Sequence, residues 1–264
     1  MDDPEALRRL AESTAREAGA LLLAGLHQAR TDVSTKSTAT DMVSEMDRAS
    51  EALIVKRLLD ARPADGMVGE EGTDRAGTSG VRWIVDPLDG TTNYLYGLPG
   101  FAVSIAAEQD GTVVAGAVLD VVHDEVFAAS RGGGATLDGT PILASSATVL
   151  SRALIATGFS YSAERRARQA AALVEVLPHV RDIRRFGAAA VDLCSVACGR
   201  VDGYFERGLE PWDLAAGGLI AAEAGAIVTD LRGDPPRAHS VLACAPGIAD
   251  DLLALLTKAG AADA

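Results

Sequence analysis

The amino-acid sequence predicts an α+β protein built from stacked layers of helices and sheets. Three observations support this prediction: two amphipathic helical segments open the chain, short β-rich segments follow from Met67, and helical and β-rich segments then alternate to the end. The chain has 264 residues, of which 48% are hydrophobic, so it can bury a substantial core.

Two helices are predicted before the first β-rich segment. Asp3 followed by Pro4 is a typical helix start, and leucines at helical spacing predict an amphipathic helix to about Gln28. After the polar connector TDVSTKSTATD, the segment SEMDRASEALIVKRLLDAR carries an apolar side from Leu53 to Leu59 and predicts a second helix. We expect both helices to pack on a sheet.

From Met67 the hydrophobic pattern changes to that of β-strands. The predicted strands are GMVGE, VRWIVD, FAVSIAAEQ, TVVAGAVLD and EVFAAS, and the turns between them include QDGT and VHDE, with RGGG after the last strand. Such closely spaced strands predict a largely antiparallel sheet.

In the second half of the chain, helices and strands alternate. The predicted strands are RALIATG, VRDIRR, DGYFE, AIVTD and SVLACA. The predicted helices run from about Ala163 to Leu177 and over AAAVDLCSVACG, PWDLAAGGLIAAEAG and GIADDLLALLTKAG. This alternation predicts helices lying between sheets.

The charge balance limits the classes of partner. A net charge of −13 without a basic cluster is unsuited to a phosphate backbone, so we expect no nucleic-acid partner. The opening MDDPEALRRL has no apolar core of a signal peptide, and stretches such as ALLLAGL are far shorter than the roughly 18 residues of a membrane span. We therefore expect a cytoplasmic protein without a membrane partner. The spacing of Cys194 and Cys198 in an apolar helical pattern favours buried free thiols.

Four acidic clusters stand at the predicted ends of helices or strands. Each has an ordinary structural interpretation: Ser44 and Asp47 fit a helix capping box, Asp213 falls in a first helical turn, and PLDG fits a β-turn. The clusters are DMVSEMD with Asp41 and Asp47, GEEG with Glu70 and Glu71, DPLDG with Asp86 and Asp89, and EPWDLAAG with Asp213.

The combination of these clusters favours a metal site. Asp86 ends the apolar run WIV, and Pro87 and Gly90 shape a turn that could direct Asp86 and Asp89 to one point. Converging carboxylates without a nearby Lys or Arg need a cation, and a set of oxygen ligands favours Mg²⁺. The four histidines show no metal-binding spacing, and GTTN at a predicted helix start suits a phosphate group.

The segments DMVSEMDRASE, GEEG, WIVDPLDGTTNYLYGLPGFAVSIA and EPWDLAAGGLIAAEAGAIVTD resemble, in order, the signature segments of the inositol monophosphatase family of Mg²⁺-dependent, lithium-sensitive sugar phosphatases. The resemblance covers essentially the whole chain. It implies a layered αβαβα sandwich of the sugar-phosphatase fold, with an N-terminal subdomain over residues 1–145 carrying the metal-binding motifs and a C-terminal subdomain over residues 146–264 on the substrate side, together one compact unit.

The resemblance implies a role for each motif residue. Two or three Mg²⁺ ions are expected per site, and the implied metal ligands are Glu70, Asp86, the backbone carbonyl of Leu88, Asp89 and Asp213. Because Leu88 would act through its carbonyl oxygen, the replacement of the family's commoner isoleucine is harmless. The implied catalytic residues, which orient the attacking water, are Asp47, Thr91 and Glu70.

The resemblance also implies substrate contacts. Gly90, Thr91 and Thr92 would hold the phosphate, Glu206 would bind ring hydroxyls, and Ala189 would contact the ring through its backbone. Lys36 matches a loop lysine that contacts the site, with a solvated surface lysine as the alternative interpretation. The segment TGFSYSAERRARQ and the position of Glu210 depart from the family pattern.

The predicted activity is hydrolysis of a polyol phosphate monoester, inositol-1-phosphate in the first place, by a phosphoric monoester hydrolase. Histidinol phosphate, fructose-1,6-bisphosphate and 3'-phosphoadenosine 5'-phosphate are alternative substrates, and Arg184 or Arg185 could serve a second phosphate. A regulatory binding protein on the same fold is the alternative from another class. The resemblance further implies a homodimer, with LYGLPGFAV as an interface or core segment.

Overall fold

The computed structural model describes residues 2–26, 34–35, 42–43, 45–236 and 239–263. Its first helix, α1 (Pro4–Gly25), is capped by Asp3, whose side chain accepts a hydrogen bond from the backbone N–H of Glu5 at 3.0 Å. The second helix is α2 (Glu45–Ala61), and both helices pack on one face of the larger sheet, as predicted. Gln28, the predicted end of α1, lies outside the described residues.

Fifteen strands are found in the described part of the chain. They are β1 (Ser34–Thr35), β2 (Met42–Val43), β3 (Gly66–Gly69), β4 (Asp74–Arg75), β5 (Val81–Asp89), β6 (Ala102–Gln109), β7 (Thr112–Asp120), β8 (Glu125–Ser130), β9 (Gly134–Leu137), β10 (Thr140–Ile142), β11 (Leu154–Thr157), β12 (Asp182–Arg184), β13 (Gly203–Arg207), β14 (Ile227–Thr229) and β15 (Ser240–Cys244).

The larger sheet has eight strands in the order β10-β9-β8-β7-β6-β5-β3-β4. Every neighbouring pair is antiparallel except β3 and β5, which run parallel with Gly69 opposite Val85. The predicted meander is therefore confirmed for the run from β5 to β8, and β9 and β10 extend it beyond the prediction. The parallel pair matters for function because it sets the ends of β3 and β5 side by side.

The smaller sheet has five strands in the order β12-β11-β13-β15-β14 and is mixed. Strand β11 runs parallel to β12 and β13, whereas β15 runs antiparallel to β13 and β14. The remaining α-helices are α3 (Thr91–Tyr96), α4 (Ala163–Val176), α5 (Ala189–Ala197), α6 (Pro211–Glu223) and α7 (Ala249–Lys258).

Helices and sheets form five layers. Helices α1 and α2 cover the outer face of the larger sheet, α5 and α6 lie between the two sheets, and α4 and α7 cover the outer face of the smaller sheet. The central cluster shows this directly, because Phe127 of β8, Leu193 of α5, Tyr204 of β13 and Ile220 of α6 are buried together. The predicted αβαβα sandwich is confirmed. The boundary between residues 145 and 146 stays a prediction, since α5 and α6 pack against both sheets.

Two further expectations concern the chain as a whole. Within the described residues, no helix combines the length and the apolar character that crossing a membrane requires. All three cysteines are free: Cys194 and Cys244 are buried and Cys198 is half-buried. Burial raises the pKa of the Cys194 thiol well above its usual range, which disfavours a reactive thiolate at this position.

Candidate active site

The carboxyl end of β5 supplies two carboxylates. Asp86 is only 1% exposed, and its Oδ1 accepts a hydrogen bond from the backbone N–H of Leu88 at 3.0 Å. The pairing register with β6 shifts between Asp86 and Asp89, so the regular pairing of the strand is interrupted over the two residues between them. The Leu88 side chain is fully buried.

The turn into α3 places the threonine hydroxyls. Gly90 has a φ of 86°, and a Cβ at this position would lie 2.7 Å from the carbonyl oxygen of Gly100, so only glycine fits. The Thr91 hydroxyl lies 3.1 Å from the carbonyl oxygen of Leu88 and 3.4 Å from Oδ2 of Asp47. Asp47, in the first turn of α2, is 2% exposed. The structure thus brings Asp47 and Thr91 together.

Glu70 directly follows β3. Because β3 runs parallel to β5, the backbone N–H of Glu70 donates to the Val85 carbonyl at 3.2 Å, and its carboxyl group interacts with that of Asp86. The GEEG turn is held by Glu51 of α2, whose carboxylate accepts hydrogen bonds from the backbone N–H of Glu71 at 2.8 Å and the hydroxyl of Thr73 at 2.6 Å. Sequence reasoning missed this buried support.

Asp213 caps a helix and also lines the cavity. Its Oδ2 accepts a hydrogen bond from the backbone N–H of Glu210 at 2.8 Å, which completes a capping box at the start of α6. Asp213 therefore has a structural role at the start of α6. It also lines the same cavity as Glu70, Asp86 and Asp89, so the helix cap does not prevent its carboxylate from binding a ligand there.

The opposite wall is built by α5 and β13. The backbone N–H of Ala190, in the first turn of α5, donates to Oδ2 of Asp89 at 2.7 Å, and Ala189 lines the cavity. Glu206 lies near the end of β13, where the Tyr204 hydroxyl donates to its Oε2 at 2.7 Å. Gly158 makes room for this carboxylate, because a Cβ at position 158 would overlap it.

These walls enclose a cavity of about 330 Å³. Of the predicted site residues, nine line it: Glu70, Asp86, Leu88, Asp89, Gly90, Thr91, Ala189, Glu206 and Asp213. Asp47 contacts the cavity-lining residue Thr91. Thr92 hydrogen-bonds to the phenol of Tyr161, which also lines the cavity. Lys36 lies outside the described residues.

Sequence reasoning missed several polar residues of the cavity wall and left one more undecided. Ser160, Tyr161 and Trp212 line the cavity without a predicted role, and Ser160 and Tyr161 lie in the segment that departs from the family pattern. Arg185 lines it as well, whereas Arg184 bonds to Asp182 at 2.7 Å on the surface. The alternation of side chains along a strand separates two adjacent arginines, but the sequence does not show which of them faces inward.

Burial raises the pKa of the carboxyl groups around the cavity. Desolvation, followed by repulsion from Glu70, raises the pKa of Asp47 to about 9. Desolvation, followed by the charge of Asp213, raises the pKa of Glu70 to about 7, and desolvation raises that of Asp213 to about 6. The pKa values of Asp86 and Asp89 lie well above their usual range for the same causes. Ionising all these groups together is therefore unfavourable.

The donor set fits a hard divalent cation. Glu70, Asp86, Asp89 and Asp213 form no ion pair with a lysine or arginine among the described residues, so no side-chain cation offsets their charge. Carboxylate oxygens and the Leu88 carbonyl offer oxygen atoms only, which Mg²⁺ prefers. The uncompensated charge and the donor chemistry together make this cavity suited to Mg²⁺.

A second cluster of possible metal ligands lies outside this cavity. Ligand atoms of Asp120, His123 and Glu125 fall within 4.8 Å of one another. Here the charges are already paired, because Glu125 accepts two hydrogen bonds of 2.6 Å from Arg200, and Nδ1 of His123 lies 2.8 Å from Asp120. This cluster lacks the uncompensated charge that characterises the cavity.

Comparison with known proteins identifies the family. The model of the inositol monophosphatase family matches residues 3–260. The inositol-1-monophosphatase of Mycobacterium leprae is 47% identical and covers 97% of this chain and 95% of that protein. The Nus factor SuhB of Xylella fastidiosa is 42% identical and covers 84% of this chain and 82% of that protein.

A solved structure agrees over nearly the same length. The crystal structure of the extragenic suppressor protein SuhB from Bartonella henselae has a TM-score of 0.91 and 40% sequence identity, and covers 96% of this chain and 99% of that chain. The five-layer architecture is therefore shared with this structure. This chain belongs to the inositol monophosphatase family, a family of phosphoric monoester hydrolases.

Proposed function

We propose that this protein hydrolyses inositol-1-phosphate to myo-inositol and phosphate in a Mg²⁺-dependent reaction. The observation that carries the proposal is the convergence of Glu70, Asp86, Asp89 and Asp213, from three separate segments, on one cavity. None of these four carboxylates forms an ion pair with a described lysine or arginine. The 47% identity to an inositol-1-monophosphatase supports the choice of substrate.

Two or three Mg²⁺ ions would be held by the carboxylates of Glu70, Asp86, Asp89 and Asp213 and the carbonyl oxygen of Leu88. When bound, they would supply charge neutralisation for the phosphate dianion, activation of water and stabilisation of the leaving alkoxide. The capping bond from Glu210 orients the Asp213 carboxylate, and the N–H of Ala190 does the same for Asp89.

The protein's own residues would orient the attacking water and the phosphate. Asp47 and the Leu88 carbonyl fix the Thr91 hydroxyl, which would hold the water together with the Glu70 carboxylate. Gly90, Thr91 and Thr92 would bind phosphate oxygens through backbone N–H and hydroxyl groups. No serine, cysteine or histidine nucleophile is needed, because water attacks phosphorus directly.

The wall formed by β13 and α5 would bind the leaving group. Glu206 would accept hydrogen bonds from ring hydroxyls, with its Oε2 held by Tyr204, and the backbone of Ala189 would contact the ring. Desolvation raises the pKa of Glu206 to about 7, and the nearby guanidinium of Arg185 opposes this shift. An oriented carboxyl group that accepts hydrogen bonds suits a neutral polyol.

The test is a phosphate-release panel with Mg²⁺ and with a chelator. Inositol-1-phosphate, histidinol phosphate, fructose-1,6-bisphosphate and 3'-phosphoadenosine 5'-phosphate are compared at equal concentration. We expect inositol-1-phosphate to have the highest kcat/KM, activity to vanish with the chelator, and Li⁺ at millimolar concentration to inhibit. Chelator-resistant hydrolysis would contradict the metal assignment. A higher kcat/KM for another ester would show that this ester, and not inositol-1-phosphate, is the preferred substrate.

One observation favours a bisphosphate as the second candidate substrate. Arg185 lines the cavity, lies over Gly187 and forms no ion pair with any described residue, so its guanidinium is available to a second phosphate. Arg185→Gln would then lower kcat/KM for fructose-1,6-bisphosphate by roughly tenfold more than for inositol-1-phosphate. Arg184→Gln is the matched control, because Arg184 is paired with Asp182 outside the cavity.

A regulatory binding protein is the candidate from a different class. The relative named Nus factor SuhB supports it, whereas the intact set of predicted metal ligands and the net charge of −13 support an enzyme that binds no nucleic acid. We further propose a cytoplasmic homodimer with subdomains at residues 1–145 and 146–264. An inactive panel together with RNA or RNA polymerase binding would favour the regulatory candidate.

A further inference from the structure

Asn93 connects three separate segments at the edge of the active site. It follows Thr91 and Thr92 in α3, and its Nδ2 donates hydrogen bonds to the carbonyl oxygens of Gly100 and Phe186, both at 2.7 Å. Phe186 lies 93 residues away in the sequence. One side chain thus joins the turn over residues 90–92, called the phosphate turn after its proposed role, to the loop before β6 and to the segment that leads into α5.

Two glycines with left-handed backbone lie against this amide. The φ angles are 88° at Gly100 and 100° at Gly187. A Cβ would lie 3.1 Å from Nδ2 of Asn93 if placed at Gly100, and 2.9 Å from it if placed at Gly187. The backbone can approach the amide this closely only where side chains are missing. The missing side chains at Gly100 and Gly187 therefore leave the space that the Asn93 amide occupies.

The segment that Asn93 holds forms the leaving-group wall. The Phe186 carbonyl and the Gly187 N–H belong to one peptide group: the carbonyl is bound by Asn93, and the N–H interacts with the carboxyl group of Asp192. Asp192 is 1% exposed and its Oδ1 has no hydrogen-bond partner among the described residues, although no predicted catalytic step uses it. Asn93 and Asp192 thus contact the two ends of the same peptide group.

The geometry points to Asn93 as a positioning residue that fixes the segment from Phe186 to Ala189 against the phosphate turn, with Asp192 as its second support. This inference rests on the proposed hydrolysis of a polyol phosphate. Asn93 would act on leaving-group binding, because the wall it holds carries Ala189 and borders Arg185. The phosphate would still be bound by Thr91 and Thr92, whose own contacts do not involve the Asn93 amide.

The sequence offers a direct probe, because Asn93 is the only asparagine in the chain. Labelling with asparagine carrying ¹⁵N in its side-chain amide gives a single NH₂ pair in an NMR spectrum. We expect both protons to exchange slowly with solvent, since each is bound to a carbonyl oxygen. The pair should shift in Gly187→Ala, whose added methyl group meets the amide. Rapid exchange of both protons would overturn the inference without reference to activity.

Kinetics of Asn93→Asp tests the functional consequence. This change keeps the shape of the side chain but replaces the double donor by an oxygen facing two carbonyl groups. We expect KM for inositol-1-phosphate to rise by roughly tenfold, while kcat/KM for 4-nitrophenyl phosphate, which offers Glu206 no polyol, changes by less than about threefold. Arg184→Gln should change neither value.

The outcomes separate the inference from the proposed function. If the unmodified protein fails to hydrolyse inositol-1-phosphate, the proposed function is wrong. The exchange rate of the Asn93 amide protons still decides whether Asn93 is bound to the carbonyl groups of Gly100 and Phe186. If the unmodified protein is active and Asn93→Asp lowers kcat/KM equally for both esters, Asn93 supports general stability only and the positioning role is rejected. Asp192→Leu should raise KM in the same selective way, and Asp192→Asn, which keeps an acceptor for Gly187, should restore it.

Discussion

At the scale of single residues, Asp213 performs two tasks that one substitution can separate. Its Oδ2 caps α6 through the Glu210 N–H, and its negative charge would bind metal. Asp213→Asn keeps an oxygen for the cap but loses the charge. We expect Mg²⁺-dependent turnover to fall at least about 100-fold, with the melting temperature changed by only a few degrees. Undiminished turnover in a phosphate-release assay would refute the assignment of Asp213.

The position of the Glu206 carboxylate depends on Gly158, and no sequence motif marks this glycine. A methyl group at Gly158 would overlap the Glu206 carboxylate, so Gly158→Ala should displace that carboxylate and raise KM for inositol-1-phosphate roughly tenfold. The matched control is Gly218→Ala on α6, where an added Cβ meets nothing within 4 Å. Steady-state kinetics and thermal unfolding of both variants distinguish the cases. An equal KM in both variants would show that Glu206 does not bind the leaving group.

The elements that form the site were predictable to different degrees. The apolar run before Asp86 predicted β5, and Gly90 followed by two threonines predicted the start of α3, because local sequence determines both. Strands β9 and β10 were missed, since they are short and follow the glycine turn RGGG. The parallel pairing of β3 with β5, which brings Glu70 beside Asp86, depends on tertiary contacts. Local propensity carries no information about such pairing.

The connection between β5 and α3 is expected to be the least tolerant element. Gly90→Ala would combine an unfavourable left-handed φ with a Cβ at 2.7 Å from the Gly100 carbonyl oxygen. Gly111→Ala is the matched control, because its φ of 77° is also left-handed but an added Cβ meets nothing within 4 Å. We expect a loss of unfolding free energy of about 1 kcal/mol for Gly111→Ala and about 2–4 kcal/mol for Gly90→Ala.

Chemical denaturation of these two glycine variants gives the comparison. The difference between them measures the clash alone, because the backbone strain is common to both. Equal losses would show that the turn can move away from Gly100. Such movement would also displace Thr91, so activity should be recorded for both variants.

At the scale of the whole molecule, the site lies where four of the five layers meet. Residues from α2, β3, β5, α3, α5, β13 and α6 surround one cavity, and α5 and α6 are held between the two sheets. The sequence contains each acidic motif, but their convergence follows from layer packing, which the family resemblance alone could predict. The same packing directs Arg185 into the cavity and places the two carbonyl groups that Asn93 binds. The sequence around these residues does not predict either feature.

The stability of the whole molecule should depend on pH and Mg²⁺ together. Without metal, the raised pKa values of Asp47, Glu70 and Asp213 mean that the folded protein binds more protons than the unfolded chain. Their stabilising contribution is complete below about pH 4, the unfolded pKa, and is lost as pH rises through the folded values of about 6 to about 9. In chelator, the melting temperature should therefore fall between about pH 6 and about pH 8.5. Saturating Mg²⁺ should raise it by about 5–10 °C at the higher pH and by less at the lower pH, because protons compete for the same oxygens. Asp213→Asn should reduce this Mg²⁺ effect, and an effect of equal size at both pH values would contradict a site built from these carboxylates.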